Sequence, residues 1–168
     1  MKTLNTPFTE EEIAELNVGD MIFISGDIYC GRDAVLPKIM KEIEDGNLSS
    51  SIDFRGNVIF HTAVSPAGVG PTSSNKVELE GSMIFLSKNA GIKMHLGKGK
   101  LKDETIKELA ELNAVYAIIP PVTALLGSKT LEKVCVAHSE LGMEALYRVK
   151  VDKYPVIIAG AKGRSIYE

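Results

Sequence analysis

Apolar and polar positions along the chain follow two periods in turn. Short apolar runs bounded by glycine, proline or clustered polar residues recur at 21–24, 58–64, 92–96, 115–119, 134–137, 145–151 and 156–159. Runs of this kind predict strands, and those apolar at successive positions suit strands buried on both faces. Between them the apolar residues fall at helical spacing. Val35, Leu36, Ile39, Met40 and Ile43 form one stripe, with Asp33 placed to N-cap a helix running to Asp45. Residues 77–89 read as a second helix with Gly91 at its C′ position, although Gly81 interrupts it. Residues 102–112 form a third, with Ile106, Leu109 and Leu112 on one face. Thr9 and Glu12 have capping-box spacing, so a short helix should precede the strand at Met21. The alternation predicts a mixed α/β domain without internal repeats.

Length and composition change this picture little. At 168 residues and 45% hydrophobic, the chain can bury a sizeable core, and no low-complexity stretch marks a linker, so residues 1–168 are expected to form a single domain. No apolar run approaches a membrane span and the N-terminus lacks a basic-then-apolar leader, which predicts a cytoplasmic protein. A formal net charge of −3 with no dominant basic tract argues against nucleic-acid binding.

Cysteine and histidine usage narrows the chemistry. Cys30 and Cys135 are the only cysteines, far apart, and both are expected to serve as small buried hydrophobes. A cubane iron–sulfur cluster needs three or four thiolates, so this chain cannot supply the ligands. His61, His95 and His138 are widely spaced with no partner at metal-ligand spacing, and no metal site is predicted. His61 is expected as a packed imidazole within an alternating strand.

Three segments carry candidate chemistry. In Gly70-Pro71-Thr72-Ser73-Ser74-Asn75-Lys76, three hydroxyls and a cation follow the end of a strand, which suits a small anion or a serine-rich surface turn. The segment is not a P-loop, because Asn75 stands where that motif needs glycine and Val77 where it needs serine or threonine. Around Gly26 to Ala34, two glycines bracket a predicted loop, and Arg32 lies just outside a helix N-terminus. There its guanidinium could grip a carboxylate or pair with Asp27 or Asp33. In Gly97-Lys98-Gly99-Lys100, glycines flank a lysine, giving either a basic turn or a close approach to a ligand.

In order along the chain, these segments resemble the β subunit, or C-terminal domain, of class I fumarases and the related L-tartrate dehydratases. The resemblance covers nearly all of the sequence. It takes in Ser25-Gly26-Asp27-Ile28-Tyr29, Gly31-Arg32-Asp33-Ala34, Gly70-Pro71-Thr72-Ser73-Ser74, Gly97-Lys98-Gly99-Lys100, Glu140-Leu141-Gly142-Met143-Glu144 and Val151-Asp152-Lys153-Tyr154-Pro155. It implies a swivelling β/β/α architecture, with a mixed sheet and flanking helices. It also implies reversible hydration of fumarate to (S)-malate, or dehydration of tartrate or another hydroxy-diacid. The resemblance places a four-iron four-sulfur cluster on a partner α subunit, this chain binding none alone. Thr72 is then the proton-handling hydroxyl with Ser73 beside it, and Arg32, Lys76 and Lys98 bind substrate. The family commonly has two threonines where this chain has Thr72-Ser73, and arginine where it has Lys76. A non-catalytic carboxylate-binding module on the same fold is the reading from another class.

Overall fold

The computed structural model describes residues 2–65, 68–69, 76–120 and 128–168. Strand β1 (Thr3–Asn5) leads through α1 (Glu10–Ala14) to β2 (Met21–Cys30), α2 (Leu36–Asp45) and β3 (Val58–Phe60). A two-stranded ribbon follows, β4 (Val64–Ser65) with β5 (Gly68–Val69), and then α3 (Lys76–Ala90) and β6 (Met94–Gly97). The chain continues through α4 (Asp103–Glu111), β7 (Val115–Ile118), β8 (Thr130–Ala137), a 3-10 segment (Ser139–Glu144), β9 (Leu146–Ala161) and β10 (Arg164–Ser165).

The main sheet closes on itself. β2, β3, β6 and β7 run parallel and adjacent, and β9 pairs antiparallel with both β7 and β2, completing a ring. Every strand of the ring sends alternate residues inward. Ile22, Ile24 and Ile28 meet Val58 and Phe60, Met94 and Leu96, Val115 and Ala117, and Val149, Val151, Val156 and Ile158. Such burial contributes about 1.5–3 kcal/mol per large aliphatic side chain. The outward residues are covered by helices. Tyr29 and Ile59 pack under Leu36 and Ile39 of α2 and Leu86 of α3, while Tyr116 and Ala159 pack under Met83 of α3 and Ile106 and Leu109 of α4. This is the mixed sheet with flanking helices that the pattern and the resemblance predict.

Local chemistry explains most element ends. Thr9 accepts from the Glu12 N–H and Glu12 accepts from the Thr9 N–H, completing the expected capping box on α1. Gly91, with φ of 78°, follows α3 as expected. Four expectations fail. The strand expected at 58–64 ends at Phe60, where a turn brings the Thr62 N–H to Phe60 O at 2.9 Å. Residues 25–30 continue β2 rather than forming a loop, and Gly26 with φ of 107° sits where the pairing with β9 slips. Asp33 does not cap α2: the helix starts at Leu36 behind Val35, whose side chain has no group to cap with, and Pro37 occupies its first turn. The two strands expected at 145–151 and 156–159 are one strand, β9.

The fusion of those two runs has a physical cause. Inward residues of β9 fall at odd positions up to Val151 and at even positions from Tyr154 to Ile158. Asp152 and Lys153 form a bulge there, with Lys153 at φ of 52° and its N–H donating to Ser25 Oγ at 2.8 Å. The bulge flips the alternation without ending the strand.

Candidate active site

The carboxyl ends of three parallel strands lie level. Cys30 pairs with Phe60, and Phe60 with Leu96. The ladders continue one step further, since Gly31 N–H donates to Phe60 O and His61 N–H to Leu96 O, both at 3.0 Å. Arg32, Thr62 and Lys98 therefore leave β2, β3 and β6 side by side. Neighbouring strands are about 4.8 Å apart, so the backbones at Cys30 and Leu96, from which these residues follow, are separated by roughly 10 Å. The space outside the carboxyl ends of parallel strands is where α/β sheets, open or closed, commonly bind ligands.

Each member is held by identifiable contacts. Lys98 is exposed on a loop that Tyr116 fastens, its Oη donating to the Gly99 carbonyl at 2.9 Å. Lys76 opens α3, the crossover helix between β3 and β6. The far end of α3 meets the start of β3, where Gly56 N–H donates to Gly91 O at 2.8 Å, so the helix begins at the same strand edge as Lys98. Thr72 and Ser73 lie outside the described residues.

Arg32 pairs with Glu144. Glu144, at the end of the 3-10 segment, takes one edge of its guanidinium: Nε donates to Oε1 at 2.8 Å and to Oε2 at 3.0 Å, and Nη2 to Oε1 at 2.5 Å. The contact with Glu144 pushes the Arg32 pKa up further, with Asp33 adding to it. A bidentate grip on a substrate through the same edge would have to displace Glu144.

The 3-10 segment is itself anchored. His138, at φ of 56°, places Nε2 2.8 Å from Glu42 of α2 and Nδ1 3.2 Å from Glu140. Its pKa is raised, chiefly by Glu42. Tyr147 Oη adds a bond to the Gly142 carbonyl at 3.2 Å.

Two histidines distant in sequence meet beneath α3. His61 Nε2 lies 3.0 Å from His95 Nδ1, and His95 Nε2 lies 2.8 Å from Ser87 Oγ. Both rings are buried. Burial lowers the His61 pKa to about 3 and that of His95 well below its usual value. Spacing along the chain carries no sign of this pair. The usable signal is alternation: His95 takes an outward position on β6, and His61 lies one residue past β3, two after the outward Ile59.

The thiols do not suit a cubane cluster. Cys30 is enclosed in the ring, and burial drives its pKa far above the ordinary thiol range, so it stays protonated. Cys135, expected to be buried, is exposed on β8, an outer strand whose one ring partner is β9. Both lie level with Tyr147, one on each side of β9 and so roughly 10 Å apart. Among the described residues no group of three or more His, Cys, Asp or Glu is disposed to hold a metal.

Over residues 2–168 the sequence matches the family described as Fumarase C-terminus. This chain belongs to the fumarase C-terminus family. Similar proteins include one assigned as L(+)-tartrate dehydratase subunit beta in Methanocaldococcus jannaschii, 30% identical over 95% of this chain and 88% of that protein. The L(+)-tartrate dehydratase subunit beta of Escherichia coli is 28% identical over 94% of this chain and 82% of its own length. A protein assigned as fumarate hydratase class I in Geobacillus stearothermophilus is 30% identical over 99% of this chain, which spans 33% of that relative.

Within this fumarase C-terminus chain, sequence reasoning missed Glu144, Thr62, His95 and Ser87. Glu144 lies in a segment that the resemblance includes, and its pairing with Arg32 depends on a fold that brings positions 112 apart together. Among the described residues no helix is long and apolar enough to cross a membrane.

Proposed function

We propose that this chain is the β subunit of a hydro-lyase that reversibly hydrates a dicarboxylate, fumarate to (S)-malate, and that it acts with a cluster-bearing α subunit in the cytoplasm. The observation that carries this reading is that Arg32 and Lys98 follow β2 and β6, the parallel strands on either side of β3, at the same end of the sheet in a chain of the fumarase C-terminus family. Two cations at one end of the sheet suit the two carboxylates of a small diacid. The donor set of this chain does not fit a cluster, so no step is assigned through one here.

The work assigned to this chain is electrostatic. Abstraction of a proton α to a carboxylate builds negative charge on that carboxylate, and fixed cations that bind the growing charge more tightly lower the barrier. Arg32, Lys98 and Lys76 are the cations. Thr72 handles the proton, and Ser73 hydrogen-bonds a carboxylate. Because an alcohol is a weak base, Thr72 acts only where a polarising neighbour assists it.

L-tartrate dehydratase is the second reading. Two relatives bearing that name are β subunits covered over most of their length, and Lys76 stands where the family commonly has arginine. Co-expression with an α subunit under anaerobic conditions, followed by assays on fumarate, malate and tartrate, tests both readings. Turnover of one diacid by the complex and none by the isolated chain is expected. A complex that binds these diacids without turning them over points to the carboxylate-binding module instead.

A further inference from the structure

Glu80 holds a carboxylate where the surroundings are mostly apolar. It lies in α3, directly after Leu79, and is buried. Among the described residues it belongs to no ion pair. A buried carboxylate without a cation depends on the hydrogen bonds it receives. Here the donor is a backbone group: Lys102 N–H meets Glu80 Oε1 at 2.8 Å. Lys102 is the N-cap residue of α4, and a helix N-terminus favours a negative group. It is also the last residue of the connection from β6, so the bond ties α3 to the segment that carries Lys98.

That segment needs ties from outside. Gly97 and Gly99 stand on either side of Lys98, and Gly99 has φ of 83°. Lacking Cβ atoms, they leave the backbone around the lysine with little conformational preference of its own. Three contacts impose one. Tyr116 Oη donates to Gly99 O at 2.9 Å, Leu101 is buried in one cluster with Leu79 and Met83 of α3, and Glu80 takes the Lys102 N–H. We propose that Glu80 is a positioning residue for Lys98. By holding Lys102 against α3 it fixes residues 97–102, and with them the place where the Lys98 ammonium meets a substrate carboxylate. This rests on the dicarboxylate reading, in which Lys98 binds substrate. Glu80 itself touches no reacting atom and acts through the lysine.

A double-mutant cycle on the assembled complex separates positioning from packing. Glu80→Ala removes the acceptor, and Glu80→Gln keeps an uncharged one at the same reach. Glu80→Ala should lower kcat/KM for the diacid about tenfold, and Glu80→Gln should restore most of it. In the Lys98→Met background, Glu80→Ala should cost less than about twofold more, because the segment then carries no cation to place. A full loss in both backgrounds shows that Glu80 serves packing rather than Lys98 and overturns the inference. Unchanged kcat/KM in Glu80→Ala, or no rescue by Glu80→Gln, overturns it too, while the diacid reading stands. If Lys98→Met alone turns over normally, the reading of the site fails and the inference falls with it. Glu80→Asp keeps the charge and withdraws the acceptor by one methylene. It should show the same loss and the same dependence on Lys98, and it decides the matter where Glu80→Ala does not fold. Amide exchange on the wild-type chain needs no variant: Lys102 N–H should exchange at least about tenfold more slowly than in an unfolded chain, and unprotected exchange overturns the proposal.

Discussion

Arg32 and Glu144 form a forked ion pair that spans 112 residues of sequence and joins the end of β2 to the 3-10 segment before β9. Both side chains are about one quarter exposed. The consequence of the pair is to set the direction and charge balance of the arginine.

The two partners should accordingly fail in opposite ways. Arg32→Met should cut kcat/KM by about a hundredfold, on the order of 3 kcal/mol, with little change in Tm. Glu144→Gln removes the formal counter-charge, so KM for a diacid should fall a few-fold at low salt. Steady-state kinetics on the assembled complex checks both. A rise in KM for Glu144→Gln as large as that for Arg32→Met shows that orientation, not charge, is what Glu144 provides.

Lys98 and Lys76 test whether separate loops serve one ligand. Lys98→Met should also lose about a hundredfold in kcat/KM. Lys76→Arg should preserve activity on fumarate and impair it only if the lysine serves a differently shaped diacid. Normal turnover in the neutral variants of Arg32, Lys76 and Lys98 together rules out a shared anion site.

The hydroxyls after Gly70-Pro71 should divide between chemistry and binding. Thr72→Val should lower kcat by several orders of magnitude with the complex still assembled, whereas Ser73→Ala should act mainly on KM. Near-full kcat in Thr72→Val reduces the segment to a surface turn.

How much of this was legible in the sequence depends on the range of the interaction. The helices at 76–90 and 103–111 and the strands at 94–97 and 115–118 follow from local periodicity, so their expected bounds differ by only one or two residues. Asp33 failed as a cap because a turn through Val35, closed by its N–H to Arg32 O, delays the helix. The break expected within β9 was a real change of alternation at Asp152 and Lys153, but a bulge rather than a loop produces it. The site was legible as individual cations beside glycines. The Glu144 and His95 partners depend on which strands lie side by side, and no local pattern encodes that.

His138 should make stability depend on pH in a definite direction. Glu42, and less so Glu140, raise its pKa in the folded chain above the usual value near 6.5. The stabilisation is then complete below about pH 6.5 and is lost as pH rises through the raised folded value. Thermal melts of wild type and His138→Gln should differ more at about pH 5.5 than at about pH 8.5. A difference that grows toward alkaline pH contradicts the assignment.

Gly26 should be intolerant of a side chain. It combines φ of 107° with a close neighbour, since an added Cβ would lie 2.5 Å from Thr6 Oγ1, a hydroxyl already committed to Asp27 O at 2.6 Å. Gly26→Ala should cost about 1–3 kcal/mol of unfolding free energy, read by urea denaturation. Gly81, with open space around its Cβ position in a helix, provides the contrast. Gly81→Ala should be neutral or stabilising by up to about 1 kcal/mol.

β9 pairs with β2, β7, β8 and β10, and three of those four strands precede it in the chain. During synthesis, β2 through β8 emerge from the ribosome before the strand that seals the ring exists. Until residues 146–161 arrive, β2 and β7 each present an unpaired edge with apolar faces. Such edges are sites of mispairing for a nascent chain and ready targets for chaperones. Folding of this protein is therefore bound to be late and steep: a ribosome-stalled chain ending before Leu146 should remain protease-sensitive throughout, and one extended past Ser165 and clear of the exit tunnel should become resistant in a single step.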